Sequence, residues 1–267
     1  MIDLHTHTTC SDGTLTPEEL VQYAQKKSLC AVAITDHDTV AGNERALIKG
    51  VKTGVEVVPG VELSAQCEKG SIHILGLFID SRSSYMKKAT EILQKKRRER
   101  NIKILDKLRE LGIDINRDFF VNNTYVGRPH IAKELVASQH CKSIDEAFER
   151  FLKKGASAYV EREKLSEKET IEPIVKAGGI PVLAHPVTVV DVEKTLPRLC
   201  VLGLAGIEVY YPTHSQAAIK HFQHLAQQHC LVVTGGSDFH GQAKPSIDLG
   251  CMNVPVHLLD ALKAFKK

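Results

Sequence analysis

Apolar positions along the chain follow two patterns that alternate from one end to the other. Short runs of consecutive apolar residues are typical of buried strands, and between them apolar residues recur every three or four positions, as in amphipathic helices. The first helix is predicted to open at Thr16, because Thr-Pro-Glu-Glu forms a capping box with proline at the first helical position, and to run to about Lys27. Strands that alternate with helices predict a parallel sheet in an α/β fold.

Seven segments have the apolar character of strands. They are residues 2–4, 30–34, 55–63, 72–79, 180–183, 206–210 and 231–234. In the third segment, Pro59-Gly60 predicts a bend rather than a position inside the sheet, because proline has no N–H to donate. A helix is predicted at residues 40–48, ending before Gly50. Further helices are predicted at residues 167–176, 192–202 and 215–228.

The pattern changes to a helical one in residues 83–161. One long charged helix is predicted at about residues 85–111, with shorter helical segments at residues 131–137 and 144–153. Because the loops of a β/α barrel can lengthen at its mouth without disturbing the core, we predict a barrel domain of residues 1–82 and 162–267. Residues 83–161 are predicted to form a helical insertion that covers the active site.

The composition excludes several classes of protein. A hydrophobic fraction of 43% and a charged fraction of 25% are ordinary for a folded globular chain, and a net charge of +3 is too small to indicate a nucleic-acid or membrane surface. The seven cysteines are scattered and lack the spacing of a thiolate metal site, so reduced thiols are expected. Without a secretory signal or a membrane-spanning segment, the sequence predicts a cytoplasmic protein with no membrane partner, and it leaves the oligomeric state open.

Residues able to ligate metal ions follow the predicted strands directly. In a parallel barrel the carboxyl ends of the strands meet at one face, so residues far apart in sequence converge there. The candidates at strand ends are His5, His7, His37, Glu62, His185, Asp238 and His240, and Asp12 and His73 join them if their loops fold inward. Each motif alone has a simpler explanation as a turn, a helix cap or a packed polar residue, but their coincidence at successive strand ends favours a site.

This candidate cluster combines six histidines with three carboxylates. So many polar groups cannot be buried beside apolar strands without compensation, which divalent cations would supply. Imidazole and carboxylate ligands without thiolates favour Mn, Zn or Fe, and their number predicts two or three ions, with Glu62 as a bridging carboxylate. Such ions can activate a bound water as the attacking group of a hydrolysis, so no protein nucleophile is predicted.

The order of these motifs is similar to that of a known family. The resemblance is to the PHP (polymerase and histidinol phosphatase) family and rests on His5-Thr6-His7, Ser11-Asp12-Gly13, Thr35-Asp36-His37-Asp38, Gly60-Val61-Glu62, Ile72-His73, Ala184-His185-Pro186 and Ser237-Asp238-Phe239-His240. It covers nearly the whole chain and implies a distorted (β/α)7 TIM-like barrel with three metal ions. It also implies their ligands: His5, His7, Glu62 and Asp238 for one ion, Asp12, His37 and His240 for a second, and Glu62, His73 and His185 for a third.

The insertion carries a finer resemblance. It contains Arg97 and Arg100, three residues apart, and Arg128-Pro129-His130. With these residues, the chain is similar to the branch of the family whose members remove phosphate from 3′,5′-bisphosphonucleotides or trim RNA from its 5′ end. Guanidinium groups on one helix face suit a phosphate, so the substrate implied is a phosphorylated nucleotide or a short RNA, without a stable nucleic-acid complex. The simpler interpretations are a solvated helix face for the arginines and a polar cap for His130.

Three other functions remain open from the sequence. A histidinol-phosphate phosphatase could use the same metal cluster, although paired arginines suit an extra phosphate better than a cationic amine. A metal-dependent amidohydrolase also uses two alternating histidines after its first strand, but no bridging lysine is found at a comparable strand end. A noncatalytic member of the family would be expected to lack ligands, and here every ligand position is filled.

Overall fold

The computed structural model describes residues 1–67, 69–116, 120 and 125–266 of the chain. The contacts between residues divide it into two compact units. The first unit consists of Met1–Thr90 and Leu165–Lys267, and the second of Glu91–Lys164. Among the described residues, no helix is both long enough and apolar enough to cross a lipid bilayer.

The first unit is built on one curled sheet of seven strands, whose order in the sheet is their order in the chain. The strands are β1 (Ile2–Asp3), β2 (Ala31–Ile34), β3 (Glu56–Ala65), β4 (Ile72–Leu77), β5 (Ile180–Leu183), β6 (Gly206–Tyr210) and β7 (Val232–Gly235). All seven segments predicted as strands therefore contain one, and the predicted α/β class is confirmed. Strands β2 and β5 are fully buried, as their unbroken apolar runs indicated.

The helices lie between the strands and in the second unit. They are α1 (Pro17–Lys26), α2 (Asn43–Thr53), α3 (Ser84–Glu110), α4 (Arg128–Ala137), α5 (Ile144–Ala147), a π-helix (Phe148–Leu152), α6 (Glu167–Lys176), α7 (Val192–Val201), α8 (Gln216–Gln228) and α9 (His257–Lys266), with single 3₁₀ turns at Pro186–Thr188 and Gly241–Ala243. The capping box predicted for α1 is present: the Thr16 hydroxyl accepts from the Glu19 N–H, and the Glu19 carboxylate accepts from the Thr16 N–H.

The prediction of a wholly parallel sheet is wrong at β4. This strand runs antiparallel to both of its neighbours, β3 and β5. The cause is the short segment between Ala65 and Ile72, because a crossover between parallel strands takes a dozen or more residues, whereas a hairpin does not. As a result, the N-terminal end of β4 lies at the sheet edge where β1, β2 and β3 end, and it brings His73 opposite Ser64 of β3.

Two local predictions around β3 are also wrong. Pro59 lies inside β3, in register with Ile34 of β2. The proline is tolerated there because its carbonyl accepts a hydrogen bond from the N–H of Ile79, a bond that does not require the N–H that proline lacks. Helix α2 continues past Gly50 to Thr53 and is capped by Gly54, whose φ of 75° is the left-handed conformation of a helix C-cap. A side chain at Gly50 would meet Val57 at 2.7 Å, so this glycine serves close packing of α2 on β3.

Apolar side chains fill both faces of the curled sheet. One cluster joins residues of the strands and α9, including Leu4, Val58 and Leu75, and a second packs α1 against β2 through Leu20 and Ile34. The two ends of the sheet are linked by a hydrogen bond from the N–H of Leu4 to the carbonyl of Gly235. The exit of β1 therefore lies beside the exit of β7.

The second unit has a core of its own. Helix α3 contributes Ile104 and Leu108, and α4 contributes Ile131 and Leu135, all of them fully buried. The aromatic side chain of Phe120 belongs to the same cluster. This core holds the inner faces of the helices together, and Tyr125 and Gly127, just before α4, lie beside Arg97 of α3.

Candidate functional site

The exit of β1 carries His5 and His7, which share one side of the extended chain because alternate residues of a strand point the same way. Both side chains are fully buried. The Asp3 carboxylate anchors this exit, since it accepts hydrogen bonds from the N–H groups of Ser237 (2.9 Å) and Gly250 (2.8 Å) and from the Ser237 hydroxyl (2.6 Å). Asp3 therefore ties the start of the chain to the segment that follows β7.

The loop that carries Asp12 is held by a carboxylate from the next strand. Asp36 accepts hydrogen bonds from the N–H and hydroxyl of Thr8, both at 2.7 Å, and from the hydroxyl of Ser11 at 2.6 Å. Asp36 thus positions the loop, whereas its neighbour His37 turns toward the cluster. The expectation that the Asp12 loop folds inward agrees with this geometry.

Glu62, in the second half of β3, is the centre of the cluster. Its Oε2 atom lies 3.3 Å from Nε2 of His5, 3.2 Å from Nε2 of His7 and 2.9 Å from Nδ1 of His37. Its Oε1 atom lies 2.6 Å from Nδ1 of His73 and 3.0 Å from Nε2 of His185. One buried carboxylate therefore borders five imidazole rings that come from the ends of four different strands.

Asp238 and Asp12 complete the cluster on the side of β7. Oδ1 of Asp238 lies 3.1 Å from Nε2 of His7 and 3.4 Å from Nδ1 of His240. Nε2 of His240 in turn lies 3.4 Å from Oδ1 of Asp12. The structure therefore brings all nine candidate ligands of the sequence to one end of the sheet.

Three sets of these side chains have ligand atoms close enough together to share a cation. The sets are His7, Asp12, His37 and His240; His5, His7 and Asp238; and His37, Glu62 and His73, with all ligand atoms of a set within 4.8 Å of one another. Nε2 of His7 and Oδ1 of Asp12 are buried and, among the described residues, have no partner in hydrogen-bonding geometry, although charged groups lie near them. A bound cation would satisfy both atoms, so the residues present fit a divalent metal.

The acidic members of the cluster are held in their ionised form. Burial alone would raise the pKa values of the Asp12, Glu62 and Asp238 carboxyls, but the adjacent histidines outweigh burial and keep all three pKa values well below their ordinary range. Three buried negative charges at one point attract cations. Metal ions and protonated imidazoles can neutralise them, and the ammonium group of Lys244 supplies a further positive charge beside Asp238.

Burial and nearby negative charge also oppose each other at the histidines, and their pKa values shift in different directions. Burial would lower the pKa of His5, but the charges of Glu208, Glu62 and Asp238 hold it well above its usual value. The pKa of His7 is raised as well, against the effects of burial and of His37. Burial dominates at His73 and lowers its pKa to about 4. In the absence of metal, protons at His5 and His7 therefore take part of the role of the cations.

Three further residues lie beside the candidate ligands. Glu208 is fully buried and contacts His5 and the backbone of His185. The hydroxyl of Tyr211 and the ammonium group of Lys244 both lie at Oδ2 of Asp238, at 2.9 and 2.7 Å. At the end of the sixth predicted strand, the sequence favours Glu208 as a supporting residue of the site and a tyrosine as a stacking contact no more than an ordinary amphipathic rim. Nothing in the sequence singles out Lys244, which lies on the loop after β7.

The arginines predicted to contact substrate lie together in the second unit. Arg97 and Arg100 are buried on α3, and the guanidinium group of Arg97 lies 4.2 Å from the ring centre of Tyr125. Arg128 is half-buried at the start of α4, where it donates to the carbonyl of Leu152 at 3.0 Å. His130 caps the same helix, since its Nδ1 accepts from the N–H of Gly127, as the simpler interpretation predicted.

A fourth arginine, Arg162, joins this group and was not predicted as a site residue. Burial and the positive charges of Arg97, Arg162 and Arg128 lower the pKa of Arg100 well below its ordinary value. Because a guanidinium group stays charged in proteins, the lowered pKa signals repulsion rather than loss of charge. Nε of Arg100 is buried with no hydrogen-bond partner among the described residues, so an anion would relieve both the repulsion and the missing bond.

This chain is similar in sequence and in structure to proteins of one known family. The model of the PHP domain family matches residues 3–176 of the chain. The fold is shared with a metal-dependent phosphoesterase from Bifidobacterium adolescentis, which superimposes with a TM-score of 0.89 at 31% identity and covers 98% of this chain and 95% of its own.

Curated relatives match over most of the chain. The 3′,5′-nucleoside bisphosphate phosphatase of Chromobacterium violaceum is 32% identical over 93% of this chain and 90% of its own length. The 5′-3′ exoribonuclease Rnm of Escherichia coli is 35% identical over 93% and 87%, respectively. The phosphoribosyl 1,2-cyclic phosphate 1,2-diphosphodiesterase of Eggerthella lenta is 33% identical over 90% and 94%.

Proposed function

Because this chain belongs to the PHP domain family, we propose that it is a metal-dependent phosphoesterase that releases phosphate from nucleotide substrates. Its membership and its relatives make it a hydrolase of phosphate esters. The finer proposal concerns the substrate, the number of ions and the residues that hold them. It also includes the distorted barrel that the family resemblance implies for the first unit.

One observation carries the proposal: five imidazoles surround both oxygens of the buried Glu62 carboxylate, and buried ligand atoms of His7 and Asp12 lack hydrogen-bond partners among the described residues. Such a cluster is costly to bury unless cations occupy it. Divalent ions bound there would supply Lewis acidity toward phosphoryl oxygens and lower the pKa of a bound water.

We assign two or three ions of Mn, Zn or Fe to this cluster, since its donors are nitrogen and oxygen without sulfur. The ligand sets implied by the family agree with the distances around Glu62, whose two oxygens face different histidines and suit a bridge between ions. Asp12 and His240 would hold one ion beside His37, and His73 and His185 would hold another beside Glu62.

The surrounding residues support hydrolysis without a protein nucleophile. The hydroxyl of Ser11 donates to Asp36 and is committed to holding a loop. Burial and the charge of Asp36 raise the pKa of the Cys10 thiol, which disfavours its reactive thiolate form. The ammonium group of Lys244 is partly exposed beside Asp238, where it can pair with a phosphoryl oxygen of the substrate.

The arginine group supports a substrate with more than one negative charge. Arg97, Arg100 and Arg162 are buried together with Arg128 nearby, which suits phosphate and would repel the cationic amine of histidinol phosphate. Relatives named for a bisphosphonucleotide and for RNA agree with such a substrate. The Eggerthella lenta relative supports a second candidate, a cyclic phosphodiester of a phosphorylated ribose.

A phosphate-release screen with added Mn²⁺ tests the proposal. The substrates are adenosine 3′,5′-bisphosphate, AMP, a short 5′-phosphorylated RNA, a ribose 1,2-cyclic phosphate and histidinol phosphate. We expect the bisphosphate or the RNA to be preferred and Asp238→Ala to lower the rate at least about 100-fold, because the loss of a ligand weakens metal binding more than the loss of a supporting group. Asp248→Ala, which removes an exposed carboxylate, is the matched control.

A second variant tests the arginine group separately. Arg100→Met should raise KM for the bisphosphate about 10-fold or more while leaving metal binding unchanged, since one charge-assisted contact contributes about 1.5–3 kcal/mol. The same variant should stabilise the fold, because it removes a buried charge surrounded by like charges. An enzyme that binds metal but prefers histidinol phosphate, or an Arg100→Met variant with unchanged KM, would contradict the nucleotide assignment.

A further inference from the structure

Glu208 lies in β6 with no exposed surface, between two histidines that come from different strands. We propose that Glu208 is a positioning residue that sets the orientation of both His5 and His185 for metal binding, an inference that rests on the proposed metal-dependent function. The residue itself is not one of the nine candidate ligands. Its effect would pass through the side chain of one histidine and the backbone of the other.

The first contact fixes the ring of His5. Oε1 of Glu208 lies 3.0 Å from Nδ1 of His5, and a carboxylate accepts hydrogen bonds. The proton of a neutral His5 ring is therefore placed on Nδ1, which leaves Nε2 as the free donor atom. Nε2 faces Oε2 of Glu62 at 3.3 Å and Oδ1 of Asp238 at 3.6 Å, which is the side where the ligand atoms converge. A carboxylate behind a ligand histidine also strengthens it as a donor.

The second contact fixes the backbone of His185. Its N–H donates to Oε2 of Glu208 at 2.7 Å, and its φ of 27° and ψ of 63° lie in the left-handed region that residues other than glycine rarely adopt. The hydrogen bond to Glu208 stabilises this conformation. The conformation in turn brings Nε2 of His185 to 3.0 Å from Oε1 of Glu62.

These contacts distinguish Glu208 from an ordinary buried carboxylate. Burying a carboxylate is costly unless hydrogen bonds compensate, and within the described part of the chain both hydrogen bonds to its side chain come from candidate ligand residues. His5 and His185 belong to different ligand sets that meet at Glu62. A single carboxylate therefore links the geometry of two proposed ion positions.

Glu208→Gln tests this role with almost no change of shape. Glutamine has one acceptor oxygen and one donor NH₂ group, so it can accept from only one of its two partners. If its oxygen keeps the N–H of His185, its NH₂ group faces Nδ1 of His5 and drives the ring proton onto Nε2, the atom that a metal needs. We expect Mn²⁺ affinity, measured by competition with a chelator, to fall about 10- to 100-fold, and the number of ions per chain after dialysis, measured by elemental analysis, to decrease.

Two further variants separate positioning from loss of stability. Glu208→Ala should weaken Mn²⁺ binding at least as much as Glu208→Gln. Leu196→Ala removes buried apolar atoms from α7, away from the cluster, and should lower the thermal midpoint while leaving Mn²⁺ affinity unchanged. Excess Mn²⁺ should restore the ion content of Glu208→Gln. For Leu196→Ala, excess Mn²⁺ should raise the thermal midpoint by no more than it does for the wild type.

The outcomes for Glu208 and for the proposed function are distinct. Wild-type Mn²⁺ affinity in Glu208→Gln, a loss no larger than that of Leu196→Ala, or a wild-type chain that binds no divalent ion would each overturn the positioning role. A wild-type chain that binds Mn²⁺ but releases no phosphate from any ester would contradict the proposed function alone. In that case the affinities of the Glu208 variants still decide the inference.

Discussion

At the residue scale, neighbouring polar residues of one motif have different tasks. In Asp36-His37-Asp38, the middle residue faces Glu62 at 2.9 Å, whereas Asp36 holds the loop of Thr8 and Ser11, and Asp38 accepts from the N–H of Ser64. The sequence predicted His37 as a ligand and left its two neighbours without a role. Loop positioning by the flanking carboxylates is what allows ligands from β1, β2 and β3 to meet.

Gly236 shows how little space the backbone of the site leaves. A Cβ atom at this position would lie 2.4 Å from Cβ and 2.5 Å from the backbone nitrogen of His5. We predict that Gly236→Ala displaces His5, lowers the free energy of unfolding by about 1–3 kcal/mol and weakens Mn²⁺ binding. Urea unfolding and Mn²⁺ titration measure the two effects.

The control for Gly236 is Gly178→Ala. Gly178 has a φ of 68° and no neighbouring atom within 4 Å of an added Cβ, so alanine there strains only the backbone and should cost about 1 kcal/mol. Mn²⁺ affinity should stay at the wild-type level in this variant. Equal Mn²⁺ affinity in both variants would show that the contact with His5 is not critical.

At the scale of secondary structure elements, the direction of β4 decides the composition of the site. His73 lies at the start of the segment predicted as the fourth strand, and it was expected to join the cluster only if its loop folded inward. The antiparallel course of β4 places this strand start at the functional edge. The strand pattern was visible in the sequence, whereas its direction follows from the length of the connection to β3. Counting that connection would have predicted the hairpin.

Asp3 links two elements that are distant in sequence, β1 and the segment after β7. Asp3→Ala should lower the free energy of unfolding by about 2–4 kcal/mol, because buried donors of Ser237 and Gly250 lose their acceptor. Asp3→Asn should lower the free energy of unfolding by less, since burial raises the pKa of Asp3 and a neutral side chain avoids that penalty.

Chemical denaturation measures both Asp3 variants. The control is Asp248→Ala, at an exposed carboxylate, whose free energy of unfolding should differ from that of the wild type by less than about 1 kcal/mol. A loss for Asp3→Ala no larger than this would contradict the proposed link.

At the scale of the whole molecule, metal and protons compete for the same cluster. The raised pKa values of His5 and His7 mean that the folded, metal-free protein binds their protons more tightly than the unfolded chain. This contribution to stability is complete below the unfolded value of 6.5 and is lost as the pH rises through the folded values. Metal ions bind the deprotonated rings, so their contribution has the opposite dependence on pH.

We therefore predict that the thermal midpoint in EDTA falls as the pH rises above 6.5, whereas the increase caused by Mn²⁺ grows in the same direction. At 100 times the dissociation constant, Mn²⁺ should add about 2.7 kcal/mol. Scanning fluorimetry with and without Mn²⁺ at several pH values gives both curves. His224→Gln, at an exposed histidine of α8, should reproduce the wild-type curves, and parallel curves in EDTA and Mn²⁺ would contradict the competition.

The predicted domain organisation and the substrate-binding arginines remain predictions at this scale. The second unit, Glu91–Lys164, contains Arg97, Arg100, Arg128 and His130, and its own packing adds Arg162 to them. Arg162 carried no motif, so only its proximity to Arg100 in space identifies it.

The sequence by itself determined the α/β class, the positions of the strands, the capped start of α1 and the identities of the candidate metal ligands. It could do so because periodicity, capping and the chemistry of histidine and carboxylate are local properties that each segment displays alone. Only the tertiary structure decided the direction of β4, the place of Pro59 within β3, the roles of Asp3 and Lys244, and the partners of Glu208. These features depend on which segments become neighbours, and the energy of a buried charge or hydrogen bond exists only once its partner from elsewhere in the chain is in place.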